Sequence, residues 1–144
     1  MPTWRCTVPG GPMGKGRPRA RVVNGRPVMY AHKPTDTWEA RAAVVLSDAW
    51  EGGPLEDGCV VRVLALFPRP GRLRWKTKPM DRSPHMTKPD VDNIAKIVLD
   101  AMQRAGVLRD DRSVWELAIR KCYAAGDEPP RTEVRIDWNA GSIP

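Results

Sequence analysis

The stretch Val60-Val61-Arg62-Val63-Leu64-Ala65-Leu66-Phe67 is apolar at every position but one and decides the fold class of this chain. It is of strand length, rich in valine, and apolar at successive rather than alternate positions. That is the pattern of a central, buried strand. Such a strand needs helices to cover it, and one stands on either side in sequence. Upstream, Asp36 to Trp50 carries Trp38, Ala42, Val45, Leu46, Ala49 and Trp50 at helical spacing. Asp36 and Glu39 supply a capping pair at its start, and Gly52-Gly53-Pro54 ends it. Downstream, Asp90 to Ala105 holds a second helix. Val91, Ile94, Ala95, Val98, Ala101, Met102 and Ala105 form one face of it, and Asp92, Asn93, Lys96, Asp100 and Gln103 form the other. Gly106 stops it.

The remaining elements are strands. Trp4 to Val8 is a short one, followed by a breaker-rich loop from Pro9 to Pro18. Arg19 to Val23, Asn24-Gly25 and Val28 to Tyr30 form a hairpin, because Asn-Gly supplies the positive φ angles of a tight turn. Pro27 places the second of these strands at an edge. Val114 to Tyr123 and Thr132 to Trp138 complete the set; in the last, Val134, Ile136 and Trp138 alternate with Glu133, Arg135 and Asp137. The tryptophans at 4, 38, 50, 115 and 138 fall on core-facing positions, and His32 and His85 fall in polar loops. The reading is α/β (α+β): a single small domain with a mixed β-sheet and two main helices.

A chain of 144 residues is sized for one such domain. It has no apolar run long enough to span a membrane and no apolar leader, so a soluble, intracellular protein is expected. Cys6, Cys59 and Cys122 are odd in number and widely spaced, and there are two histidines. A disulfide framework and a zinc site are both disfavoured.

The net charge of +7 matters less than its distribution. Arg5, Lys15, Arg17, Arg19, Arg21, Arg26 and Lys33 precede the first acidic residue, Asp36. Arg69, Arg72, Arg74, Lys76, Lys78, Arg82 and Lys88 face only Asp81, in a segment from Pro68 to Pro89 with five prolines and no periodicity. A segment that long inside a small domain is functional or mobile. The sign then reverses at Asp90, Asp92, Asp100, Asp110 and Asp111.

Lys88-Pro89-Asp90-Val91-Asp92-Asn93-Ile94-Ala95-Lys96 is the most informative segment for chemistry. Within a helix, Asp90 and Asp92 would point about 200° apart. Pro89 places Asp90 at a non-helical entry, from which both carboxylates can converge. Lys96 lies one turn beyond Asp92, and Asp110-Asp111 follows the helix, on a chain able to double back toward its start. Carboxylates without His or Cys are hard ligands suited to Mg²⁺ or Mn²⁺, ions that promote phosphodiester hydrolysis. The same residues also suit a plainer reading, with Asp as a helix cap, Asp92–Lys96 as an i,i+4 pair and Asp110-Asp111 as turn residues. Around Gly14-Lys15 the phosphate-loop pattern fails at Pro9 and Gly16, although Lys15, Arg17 and Arg19 can still hold phosphates. In the second basic segment Arg74, Lys76 and Lys78 surround Trp75, a combination that tracks phosphates and stacks on an unpaired base.

These residues resemble the RusA family of Holliday-junction resolvases. The resemblance rests on Lys88-Pro89-Asp90-Val91-Asp92-Asn93 with Lys96, then Leu99-Asp100-Ala101, Gly106-Val107 and Asp110-Asp111-Arg112-Ser113-Val114. A second block, Pro12, Lys15-Gly16-Arg17-Pro18-Arg19, Asn24-Gly25 and Tyr30, agrees with it. The resemblance implies a homodimeric, Mg²⁺-dependent endonuclease of bacterial or phage type that nicks four-way DNA junctions symmetrically, without an organic cofactor. It implies Asp90, Asp92 and Asp111 as metal ligands, with Asp110 as the alternative to Asp111, and Lys96 as the essential lysine. Two other functions suit the same residues: a non-catalytic nucleic-acid-binding protein, and a nuclease acting more broadly on branched or flap DNA.

Overall fold

The computed structural model describes residues 2–30 and 32–138. Nine elements follow one another as β1 (Thr3–Pro9), β2 (Arg19–Val23), β3 (Arg26–Tyr30), α1 (Lys33–Ala49), β4 (Cys59–Phe67), β5 (Ser83–Pro84), α2 (Val91–Arg104), β6 (Val114–Tyr123) and β7 (Arg131–Trp138). The five-stranded sheet has the order β1-β7-β4-β6-β5, and β2 and β3 form a separate two-stranded sheet. The apolar run is the middle strand, as its pattern requires. β4 pairs antiparallel with β7 on one side and parallel with β6 on the other. A parallel pair needs a crossover, and the chain between β4 and β6 supplies it through the basic segment and α2.

Both helices pack on one face of the sheet. Trp38, Ala42 and Leu46 of α1 meet Ile94, Ile97, Val98, Ala101 and Met102 of α2 over Val61, Val63, Ala65, Val134 and Ile136. Gly106, at φ +77, closes α2. Its N–H donates to Gln103 and the Val107 N–H to Met102, the paired bonds of a Schellman end. The hairpin turns on Asn24 and Gly25, both at positive φ, as its sequence requires.

Four details depart from the sequence expectations. α1 begins earlier, at Lys33, with His32 as its N-cap and Pro34 in its first turn, so Asp36 is a first-turn residue and not the cap. Trp38 is core, and Trp4, Trp50 and Trp138 form an edge-to-face cluster at the bottom of the sheet, but Trp115 is 42% exposed. His85 is buried, stacked on Phe67 at 4.1 Å and tilted against Tyr123, not in a polar loop. Burial, then the neighbouring Lys121 charge, pulls its pKa down. Asp137 points away from the helices yet is buried. Thr3 Oγ1 donates to it at 2.5 Å, and Arg62 and Arg135 pair with it.

The turn between β6 and β7 is clamped by Glu128. Arg82 donates to both of its carboxylate oxygens, at 2.8 and 2.6 Å, and the Ala125 N–H and Arg131 donate as well. The Arg82 bonds, followed by the Ala125 bond, hold the Glu128 pKa at about 2, against 4.5 for a free glutamate. A carboxylate whose folded pKa is depressed stabilises the fold above its unfolded value and loses that contribution as pH falls. Glu128→Gln is therefore expected to lower stability most above about pH 5, with the gap to wild type closing toward about pH 2. Urea denaturation across that range checks this; a gap independent of pH would exclude the clamp.

Candidate active site

The entrance to α2 is built as the Pro89 argument requires. Asp90 is the N-cap residue, extended at φ −71 and ψ 155, and its side chain makes no capping bond. Its carbonyl accepts the Asn93 and Ile94 N–H groups, while its carboxylate is left to solvent. Asp92 stands in the first turn, where Oδ1 accepts the Asn93 N–H at 3.0 Å. Both residues are exposed, as is Lys96 one turn on. The positive end of the helix dipole favours the two carboxylates here.

The breaker-rich loop after β1 crosses the N-terminal ends of both helices. Its Lys15 N–H donates to the Asn93 carbonyl at 2.8 Å, and its Gly16 N–H to Thr35 Oγ1 at 2.9 Å. Gly14 permits the crossing: a Cβ at that position would lie 2.5 Å from Pro89 Cβ. Arg17 and Arg19 leave this crossing exposed, close in sequence to its contact with α2. Lys15 does not. Its ammonium is held by Glu39 at 2.7 Å and Asp100 at 3.0 Å. Burial would lower its pKa, but these two carboxylates outweigh it and raise the value.

The second basic segment is only partly a free cationic surface. Arg69 is buried and donates to the carbonyls of Leu73, Asp81 and Ala124. Arg82 is committed to Glu128. Arg74 folds back to the carbonyls of Arg69 and Gly126. Trp75 is half-buried; Arg69 lies 5.0 Å and Lys78 4.3 Å from its ring, and its indole N–H donates to Pro79. Lys76 and Lys78 remain exposed.

The later acidic pair is not gathered with the first. Asp110 caps the single 3₁₀ turn Asp111–Ser113, accepting the Arg112 N–H at 3.0 Å, and that bond lowers its pKa. The exposed Asp111 side chain makes no such bond among the described residues. The pair follows the C-terminal end of α2, whereas Asp90 and Asp92 stand at its N-terminal end, about 21 Å away along the helix. β6 does return to the helix start, but it brings Lys121. That ammonium donates to the carbonyls of Thr87 and Pro89, at 2.6 and 2.8 Å. Among the described residues, no three His, Cys, Asp or Glu side chains stand together as a metal site.

Lys121 and Gly14 were not marked by the sequence reading, since each matters only through a partner far along the chain. The same holds for a second basic surface on the sheet face opposite the helices. There Arg5, Arg135 and Arg62 lie in register on adjacent strands and, with Arg120, border an open groove of about 500 Å³. Asp137 and Glu116 partly balance this row.

Comparison with known proteins agrees with the motif. The family model described as Endodeoxyribonuclease RusA matches residues 9–137. "Uncharacterized protein YqaN" of Bacillus subtilis (strain 168) is 30% identical over 137 residues, covering 92% of this chain and 94% of its own. "Crossover junction endodeoxyribonuclease RusA" of Aquifex aeolicus (strain VF5) is 26% identical over 98 residues, 68% of this chain and 65% of its own. The chain belongs to the RusA endodeoxyribonuclease family.

Gly14→Ala is expected to lower stability by roughly 1–3 kcal/mol, because its methyl group must displace Pro89 or the loop. Gly11→Ala, with nothing within 4 Å of its Cβ position, serves as the control and should be near neutral. Thermal denaturation of both variants checks this; equal melting temperatures would show that the loop does not press on the helix entrance.

Proposed function

We propose that this chain is a Mg²⁺-dependent endonuclease that nicks four-way DNA junctions symmetrically and acts as a homodimer. The observation that carries the reading is the uncapped Asp90 carboxylate beside Asp92, at a helix entrance crossed by the loop that leads to Arg17 and Arg19. A purely structural aspartate at an N-cap would be expected to accept a backbone N–H there, and Asp90 does not. This is also the motif, with Lys96 and Asp111, on which the family resemblance rests.

The donor set fits Mg²⁺ or Mn²⁺: Asp90, Asp92 and Asp111 offer hard carboxylate oxygens, and Mg²⁺ takes few protein ligands and keeps several waters. When bound, the ion supplies charge neutralisation at the phosphodiester and a water of lowered pKa. The protein's own groups do the rest. Lys96 lies one turn beyond Asp92 and stabilises negative charge developing on the phosphate. Arg17, Arg19, Lys76 and Lys78 hold flanking phosphates, and Arg74 and Trp75 shape the loop that carries those lysines. Lys15, spent on Glu39 and Asp100, acts by fixing the loop and not by meeting DNA. Resolving a two-fold-symmetric junction takes two matched nicks, which a two-fold dimer supplies. Phosphate contacts and junction shape then select the substrate without base reading.

The test uses a synthetic four-way junction and a linear duplex of matched sequence, each with Mg²⁺ and with EDTA. Paired nicks are expected on the junction alone, dependent on the metal and lost in Asp90→Asn while binding persists. Arg17→Ala should lower the salt dependence of binding by about 0.9 in log–log slope, one phosphate contact. Binding without cleavage under any divalent ion would make the protein a non-catalytic junction binder. Equal cutting of the linear duplex would exclude junction selectivity.

A further inference from the structure

We propose that the unpaired edge of β6 joins a second copy of this chain, and that Asp111 of the partner subunit completes the carboxylate set begun by Asp90 and Asp92. The second half of this inference rests on the nuclease reading above.

Three observations lead to it. The first is the edge itself. β6 pairs with β4 over its whole length, but on its other side β5 covers only Cys122 and Tyr123. Among the described residues the outer edge from Val114 to Arg120 has no strand beside it. Folded proteins protect edges of that length, because unpaired N–H and C=O groups recruit another strand.

The second is the apolar surface along that edge. Trp115 is 42% and Leu117 39% exposed, and Val91, at the start of the neighbouring α2, is 45% exposed. Trp115 lies over Gly58, whose Cβ position is 3.1 Å from its ring, so the indole is held in place while part of it faces solvent. Apolar groups beside free backbone groups suit strand addition, in which the main chain provides affinity and the side chains provide fit.

The third observation chooses the partner. Within one chain, Asp90 and Asp92 stand at one end of α2, and Asp111 lies past the other end, just before β6 begins. Lys121 anchors the end of β6 at the entrance to α2 through the Thr87 and Pro89 carbonyls. If two copies of β6 pair antiparallel about a two-fold axis, the start of each lies against the end of the other. That places the partner subunit's Asp111 at the end of β6 where Asp90 and Asp92 stand, and the same contact recurs in reverse. An unrelated strand could satisfy the edge, but a second copy satisfies the edge and both divided acidic sets together.

The experiment has two arms. In the first, sedimentation and Mn²⁺ binding compare the wild type with the double variant Trp115→Glu, Leu117→Glu. The wild type should be a dimer. The variant should be a folded monomer by circular dichroism and, although it keeps all three carboxylates, should bind Mn²⁺ about tenfold or more weakly. Val91→Glu offers a second break in the same surface should the double variant not fold. In the second arm, Asp90→Asn and Asp111→Asn chains carrying different tags are co-expressed and the mixed dimer is purified. Each homodimer should be inactive, whereas the mixed dimer has one site with every carboxylate intact. It should recover about half of the wild-type nicking, as single nicks rather than pairs.

A monomeric wild type, or a dimer that survives the edge substitutions, would overturn the interface. Unchanged Mn²⁺ affinity in the monomeric variant, or a mixed dimer as inactive as its parents, would overturn the shared site. A wild type that binds Mn²⁺ as a dimer but cuts no DNA would fail the nuclease reading alone, leaving the interface and the shared site to the sedimentation and Mn²⁺ results.

Discussion

The organisation of this molecule turns on one carboxylate, that of Glu39. It projects from α1 into the space between the two helices and the N-terminal loop, and the residue is only 9% exposed. A carboxylate so poorly hydrated must be neutralised, and two cations from distant parts of the chain meet it. Lys15 comes from the loop at 2.7 Å, and Arg104, from the last turn of α2, at 3.4 Å. Removing either partner would leave a poorly hydrated charge, so this geometry is held more firmly than a surface pair would be. The loop cannot leave α1 without abandoning Glu39. With Lys15 in place, its N–H reaches Asn93 and Gly14 presses on Pro89. The entrance to α2, and with it the Asp90 carboxylate, is thus positioned by an ion pair made elsewhere.

Local pattern carried much of this architecture. The apolar run of β4 identified the central strand, since no other segment is apolar at successive positions over strand length. Asn24-Gly25 and Gly106 marked a turn and a helix end through backbone conformations that few other residues adopt. Asp90 was legible as a non-helical entry because Pro89 precedes it. The misjudged features depend on long-range partners. Periodicity at Trp115 reports a strand position but not whether another strand lies beside it, and this strand ends at an edge. His85 reads as a loop residue until Phe67 and Tyr123 enclose it. Asp137 alternates as a solvent residue but lies among Thr3, Arg62 and Arg135, which come from three different strands or turns of the sequence.

The same distinction applies to the candidate site. Its residue types and spacing were visible, but not which of its charges are free. Of the basic residues that seemed able to hold phosphates, Lys15, Arg69 and Arg82 are bound to groups of their own chain. Arg17, Arg19, Lys76 and Lys78 remain exposed and are a more restricted surface than a net charge of +7 suggests. The acidic cluster divides in a similar way. Sequence separation along α2 places the two aspartate pairs a helix length apart, and the return of β6 brings a lysine to the helix start in place of the second pair. An acidic site that draws on both pairs therefore requires a second chain, and a substrate with two-fold symmetry gives such a dimer two places to act.

Anomalous diffraction from crystals grown with Mn²⁺ would test this most directly. The account predicts one manganese peak per chain, coordinated by Asp90 and Asp92 and by Asp111 of the partner subunit. A peak held by Asp110 and Asp111 of a single chain, or none at the entrance to α2, would contradict it.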